Sequence, residues 1–220
     1  MSAPAPSERS RVRRLPLRAA YDRPTIDAIL DEGLVAHVGL SLEGQPVVVP
    51  MVYGRWGDEL VLHGSPASRS LRALAAGAEA VACVTLLDGL VLARSTFHHS
   101  LNYRSVVVHG RARAIEDAEE KARALEAVVE HVVPGRSAEA RPANAKELRG
   151  TAVVALALDE ASAKLREGPP VDEEEDLALD VWAGVLPLGW AVGAPRPDPL
   201  LAAEAALSPS ARRWRRGVER

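Results

Sequence analysis

The stretch at residues 60–77, LVLHGSPASRSLRALAAG, carries the densest set of groups able to hold an anion. A β-type run ends at His63 and Gly64 and passes straight into a helix start, where backbone N–H groups have no intrahelical partner. Ser65 reads as the N-cap with Pro66 at the first helical position, Leu71 and Leu74 supply the buried side, and Gly77 closes the helix. Gly64 permits close approach, Ser65 and Ser68 offer hydroxyls, and Arg69 and Arg72 offer guanidinium forks. The chemistry those groups suit is recognition of a phosphate monoester. They equally suit a plain capped helix with surface arginines, and spacing alone does not choose between the two.

A second candidate is TFHHSLNYRS at residues 96–105, polar and aromatic between two apolar runs, where a planar ligand could meet Tyr103, Arg104 and Ser105. An ordinary hairpin loop has the same composition. His98 and His99 are adjacent, so in extended chain they point to opposite faces, and no further His or Cys follows at ligand spacing; no metal site is expected. GxGxxG, the Walker lysine motif and the GxSxG elbow are all missing, which sets aside the common dinucleotide, nucleotide triphosphatase and hydrolase readings.

Bulk properties narrow the classes further. With 220 residues and 47% apolar content the chain can bury one sizeable core. The formal net charge of -3 argues against a general nucleic-acid binder, which needs a basic surface. Cys83 is the single cysteine, so no disulfide forms within the chain, and a reducing cytoplasm is the expected location. No window approaches the ~18 apolar residues of a membrane-spanning helix.

The elements that must position these groups follow from periodicity. Residues 24–32 read as a helix with Ile26, Ile29 and Leu30 on one face and Gly33 as its stop. Residues 34–62 break into short β-type runs separated by turn pairs, an antiparallel meander. A second meander is expected at 80–87, the turn Asp88-Gly89, 90–96 and 105–115, followed by a helix over 117–132 and strands over 151–158 and 161–166. Six or seven antiparallel strands with inserted helices favour an α+β class with a closed or nearly closed barrel. Residues 1–14, rich in Pro, Ser and Arg, read as a disordered leader, and 196–220 as a mobile basic tail around a domain at 15–195. The acidic run 172–176 reads as a solvated loop, and VWAGVLPLGW at 181–190 as an apolar segment that docks on the barrel or across a dimer interface.

Three separated motifs in order, HGSPASRSLRAL at 63–74, NYRSVVVHG at 102–110 and WAGVLPL at 182–188, resemble the pyridoxamine 5'-phosphate oxidase-related flavin-binding family, in its nitroimidazole-resistance-like branch. The resemblance spans residues 15–195. It implies a six-stranded antiparallel split β-barrel with peripheral helices, a cytoplasmic homodimer, and FMN in the groove between subunits. Carried over by position, it implies phosphate binding by His63, Gly64, Ser65, Ser68 and Arg69. It likewise implies a strand beside the ring edge at Pro50, Met51, Val52 and Tyr53, a ring neighbour at Thr85, and contacts from Tyr103, Arg104 and Ser105. The charged C-terminal ending of true pyridoxamine phosphate oxidases has no counterpart in WAGVLPLGWAVG, which argues against vitamin B6 oxidation. The implied activity is that of an FMN-dependent oxidoreductase acting on a small molecule, with the flavin carrying the redox chemistry. The alternatives are a deazaflavin-dependent reductase and a non-catalytic flavin- or heme-binding protein.

Overall fold

A computed structural model describes residues 3–201 and 205–216 of the chain; the ends of the expected leader and tail at 1–2 and 217–220, and the tail residues 202–204, lie outside the described residues. Asp22 caps the first helix, α1 (Arg23–Glu32), through Thr25 N, and the helix buries Ile26, Ile29 and Leu30 as its spacing predicts. It follows a short strand, β1 (Ala19–Ala20), and leads into a meander of β2 (Val35–Leu42), β3 (Gln45–Trp56) and β4 (Glu59–Gly64). Then come α2 (Arg69–Ala75), the long strand β5 (Glu79–Leu92), β6 (Ser100–Arg111), β7 (Arg113–Ala114) and α3 (Ala118–Val132). The chain continues through α4 (Ala145–Arg149), β8 (Ala152–Ala157), β9 (Ala161–Arg166), β10 (Gly184–Pro187) and α5 (Pro209–Arg213).

The expected six-stranded split β-barrel does not form. Among the described residues ten strands share one hydrogen-bonded sheet in the order β1-β9-β6-β5-β2-β3-β4-β8-β7, with β10 added to β5; the two ends of that path do not pair, so the sheet is not closed into a barrel. The α+β class and the antiparallel meanders stand. The physical reason lies in the helices: α1 and α2 send Ile26, Ile29, Leu30, Leu71 and Leu74 into the main core alongside Leu62, Val84, Val106 and Leu156. Apolar helix faces, and not edge-to-edge pairing, therefore cover the core where the sheet is open. A second, smaller core, Val61, Ile115, Ala124, Val128, Val153 and Ala155, lies where α3 covers the other face of β4 and β8.

Asp88 and Gly89 are not the turn they resemble. Residues 79–92 run as one strand that stays paired with β6 on both sides of a bulge between Leu87 and Gly89. Glycine is required there for close approach: a Cβ at Gly89 would meet Val185 Cγ1 at 2.8 Å and Leu186 O at 3.2 Å, because β10 lies directly on it. The acidic run also differs in part from its sequence reading, since Asp172 has a 2% exposed side chain paired to Arg94 at 2.9 Å. Segments near both ends of the described residues touch this framework. Arg9 pairs with Glu79 and Glu160, Ser210 donates to Glu139, and Trp214 Nε1 donates to Val132 O at 2.7 Å.

Candidate functional site

Alternation along each strand sorts the sequence-predicted residues into two sets. Val52 is the ladder partner of Val35, and His37 lies between Pro50 on β3 and Cys83 on β5. Continuing that register by two residues brings Thr85 opposite Val35. Thr85 is partnered with Ser105 on β6, and Ser105 with Lys164 on β9. Tyr53 faces Leu62, so the next step of the same ladder sets Val52 beside His63. His63, Val52, Val35, Thr85, Ser105 and Lys164 thus form one row across six strands, with Pro50 and Tyr103 two residues away on the same face. Val35, Pro50, Val52 and Thr85 are exposed, and His63, Tyr103, Ser105 and Lys164 are half-buried.

The other set points away from this face. Tyr53 is fully buried and its hydroxyl donates to Leu30 O at 2.5 Å, while burial pushes its pKa up. Met51 packs against the main core. Arg104, with Leu86 and Leu165 as its ladder partners, projects from the core side and is saturated: Nε and Nη2 donate to Asp88 at 2.9 and 2.7 Å, and Nη1 and Nη2 to Glu32 at 2.5 and 2.9 Å. These charge-assisted bonds hold its pKa above the usual arginine range. Arg104 therefore ties the end of α1 to the β5 bulge. Its side chain has little left to offer a ligand.

At the end of β4 the chain makes a turn before the helix. Ser68, not Ser65, is the N-cap, its Oγ accepting from Leu71 N at 3.4 Å, while Ser65 Oγ accepts from Ala67 N at 3.2 Å and Ser65 O from Ser68 N at 3.0 Å. The turn displaces the helix start by three residues because Ser65 and Pro66 are spent on reversing the chain. Arg69 opens α2 and Arg72 lies in its last turn; both are exposed and make no ion pair among the described residues. His63 precedes this turn. Its Nδ1 is buried without a hydrogen-bond partner, and burial lowers its pKa, so the ring is neutral near pH 7. A Cβ at Gly64 would meet Leu71 Cδ1 at 2.8 Å, so the backbone here runs hard against the helix.

The ladder adds residues that spacing did not reveal. Lys164 and Arg166 reach the face through β9, about 60 residues downstream of their partners Ser105 and Tyr103. Arg166 donates to Asn102 Oδ1 and to Gly168 O and Pro169 O, and Asn102 Nδ2 donates to Gly168 O at 3.1 Å. The signal for Lys164 was compositional: the 27 basic residues include only three lysines, Lys121, Lys146 and Lys164.

Comparison with known proteins follows this geometry. The family model described as pyridoxamine 5'-phosphate oxidase matches residues 22–165. The flavocytochrome Anf3 from Azotobacter vinelandii is 43% identical over 97% of this chain and 99% of that chain, with a TM-score of 0.90. The FAD and heme binding protein from Mycobacterium smegmatis is 45% identical over 89% of this chain and 96% of that one, with a TM-score of 0.86. A Bacteroides thetaiotaomicron protein with a provisional 5-nitroimidazole antibiotic resistance designation is 27% identical over 66% of this chain and 85% of that chain, TM-score 0.53. No curated protein matches. With a family match across residues 22–165 and two relatives above 40% identity over most of its length, the chain belongs to the pyridoxamine 5'-phosphate oxidase-related family.

Proposed function

We propose that this protein is a flavin-dependent oxidoreductase that binds FAD, with the flavin ring on the face formed by Pro50, Val52, Thr85, Tyr103 and Ser105 and its phosphate end at His63, Gly64, Ser65, Ser68 and Arg69. The observation that carries the reading is the buried Nδ1 of His63 at one end of that face, which has no hydrogen-bond partner among the described residues, six residues before the exposed Arg69. A buried polar atom without a partner is costly, and a ligand that hydrogen-bonds it removes the penalty. The residues present fit a flavin: a close-running glycine, hydroxyls and guanidinium groups at one end, and an apolar strand face for a planar ring. FAD replaces the FMN of the sequence reading because the Mycobacterium smegmatis relative is named for FAD.

When bound, the flavin supplies the hydride and electron chemistry. The chain's own residues anchor the phosphate, shield one ring face and set hydrogen bonds at the ring edge. Val35, Val48, Val52 and Leu87 on the face, with Trp182 and Trp190 on the segment that carries β10, are all exposed; in this reading a second copy covers them and the protein works as a homodimer. No helix among the described residues is long and apolar enough to cross a membrane.

A second reading is favoured by the names of both high-identity relatives, one a flavocytochrome and one an FAD and heme binding protein: the protein also binds heme. His63, neutral and with a free ring nitrogen, is then the iron donor. Absorbance of the purified protein, followed by titration with FAD, FMN and hemin, tests both. Saturable flavin binding near one per subunit supports the first reading, and a Soret band lost in His63→Ala supports the second. Absence of any saturable flavin binding overturns the proposal.

A further inference from the structure

Lys164 differs from the paired arginines of the sheet, such as Arg104. Several arginines are held by carboxylates, as Arg9, Arg55, Arg104, Arg113 and Arg141 are. Lys121 donates to Thr151 O at 3.2 Å. Lys164 makes no ion pair and no side-chain hydrogen bond among the described residues, although it sits half-buried in the middle of a paired strand. Its ladder partner Ser105 donates to the Lys164 carbonyl at 3.3 Å, which fixes the backbone of β9 against β6 and leaves the ammonium unengaged. Its neighbour Arg166 is committed to Asn102 and two carbonyls.

Position gives this group a direction. His63 and Lys164 lie in the same row, which runs on to Val153 on β8 and Ala19 on β1, and they are five strand spacings apart, roughly 24 Å along the sheet at about 4.8 Å per strand. Thr85 and Ser105 lie between them, next to Lys164. If the phosphate end is held at His63, the cation five strands away in the row faces the ring and not the phosphate. A positive charge beside the N1 and C2 carbonyl edge of a flavin favours the reduced form, whose negative charge resides there.

We propose that Lys164 is the residue that sets the reduction potential of the bound flavin, by placing its ammonium at the N1 edge of the ring. The inference rests on the flavin reading above. It assigns to β9 an electrostatic task that the family match and the relatives do not state.

The test compares the wild-type protein, Lys164→Met and Lys164→Arg, each loaded with FAD. Affinity is read by fluorescence quenching, and the equilibrium for reduction of bound flavin is read against a reference dye. Loss of a hydrogen bond from a charged donor predicts that Lys164→Met shifts the reduction equilibrium toward oxidised flavin by at least about tenfold. For a two-electron couple tenfold is about 30 mV. FAD affinity should change by less than that, and Lys164→Arg should retain most of the wild-type value. An unchanged equilibrium in Lys164→Met with FAD still bound overturns this inference and leaves the flavin reading standing. A fall in affinity with an unchanged equilibrium also overturns it, since Lys164 would then hold the phosphate. Failure of the wild-type protein to bind FAD removes both readings.

Discussion

Arg104 and Lys164 project from opposite faces of the same sheet region and show opposite chemistry. Arg104 spends all three guanidinium nitrogens on Glu32 and Asp88, with side-chain exposures of 15%, 19% and 17% for the three groups. Among the described residues Lys164 makes no ion pair or side-chain hydrogen bond, and His63 Nδ1, five strands away in the same row, has no hydrogen-bond partner. A saturated network fixes the framework, because each charge already has its counter-charge and nothing is gained by binding more. Polar groups left open on an apolar face are where a ligand can add free energy. Resemblance of sequence alone grouped Arg104 with the cofactor contacts; its geometry makes it a strut for the end of α1 and the β5 bulge.

Breaking the strut should have the largest effect. Arg104→Ala leaves two largely buried carboxylates without their cation, and about 3 kcal/mol of stability should be lost, read from the urea midpoint of the flavin-free protein. A loss below 0.5 kcal/mol would make Arg104 a ligand group instead. On the open side, Arg69→Ala should weaken FAD binding by about 1.5–3 kcal/mol with the urea midpoint almost unchanged, because its exposed guanidinium makes no ion pair among the described residues. If affinity holds, the phosphate lies elsewhere.

Gly89→Ala sharpens the link between strut and segment. The added methyl group would overlap Val185 and Leu186, so β10 should lift, with about 1–2 kcal/mol of destabilisation and faster proteolysis around residues 181–190. Equal proteolysis rates would show that the bulge tolerates a side chain.

The smallest effect is expected from pH. His131 Nε2 donates to Gly33 O at 2.7 Å with its ring 4.7 Å from Tyr53, and burial, the largest cause, lowers its pKa from 6.5. The unfolded chain then binds more protons than the folded one below pH 6.5, so stability is full above that value and declines as pH falls toward the depressed native value. Urea midpoints from pH 7.5 to 5.0 should fall, and fall less in His131→Gln. Parallel slopes in the two proteins would assign the decline to other groups.

Much of the local structure was legible in the sequence. The stripe Ile26, Ile29 and Leu30 marked α1, Asp117 and the acidic first turn marked α3, and alternation marked β2, β3 and β4, because each signal acts within a few residues. The Asp88-Gly89 pair misled for a physical reason. A turn and a bulge ask for the same residues, and only the arrival of β10 from a hundred residues away makes close approach the governing need. Ser65 likewise carried every mark of an N-cap, yet Ser68 caps α2 because Ser65 and Pro66 form the turn that turns β4 into the helix.

By itself, then, the sequence determined the elements, the family and the anion-friendly segment at residues 63–69, all of which depend on local periodicity or on motifs a few residues long. That the sheet stays open, the sorting of Tyr53 and Arg104 to the core side, and the meeting of Lys164 with Ser105 were decided only by tertiary structure. They depend on strand order and register, which bring distant residues to one face through pairings that no local pattern encodes.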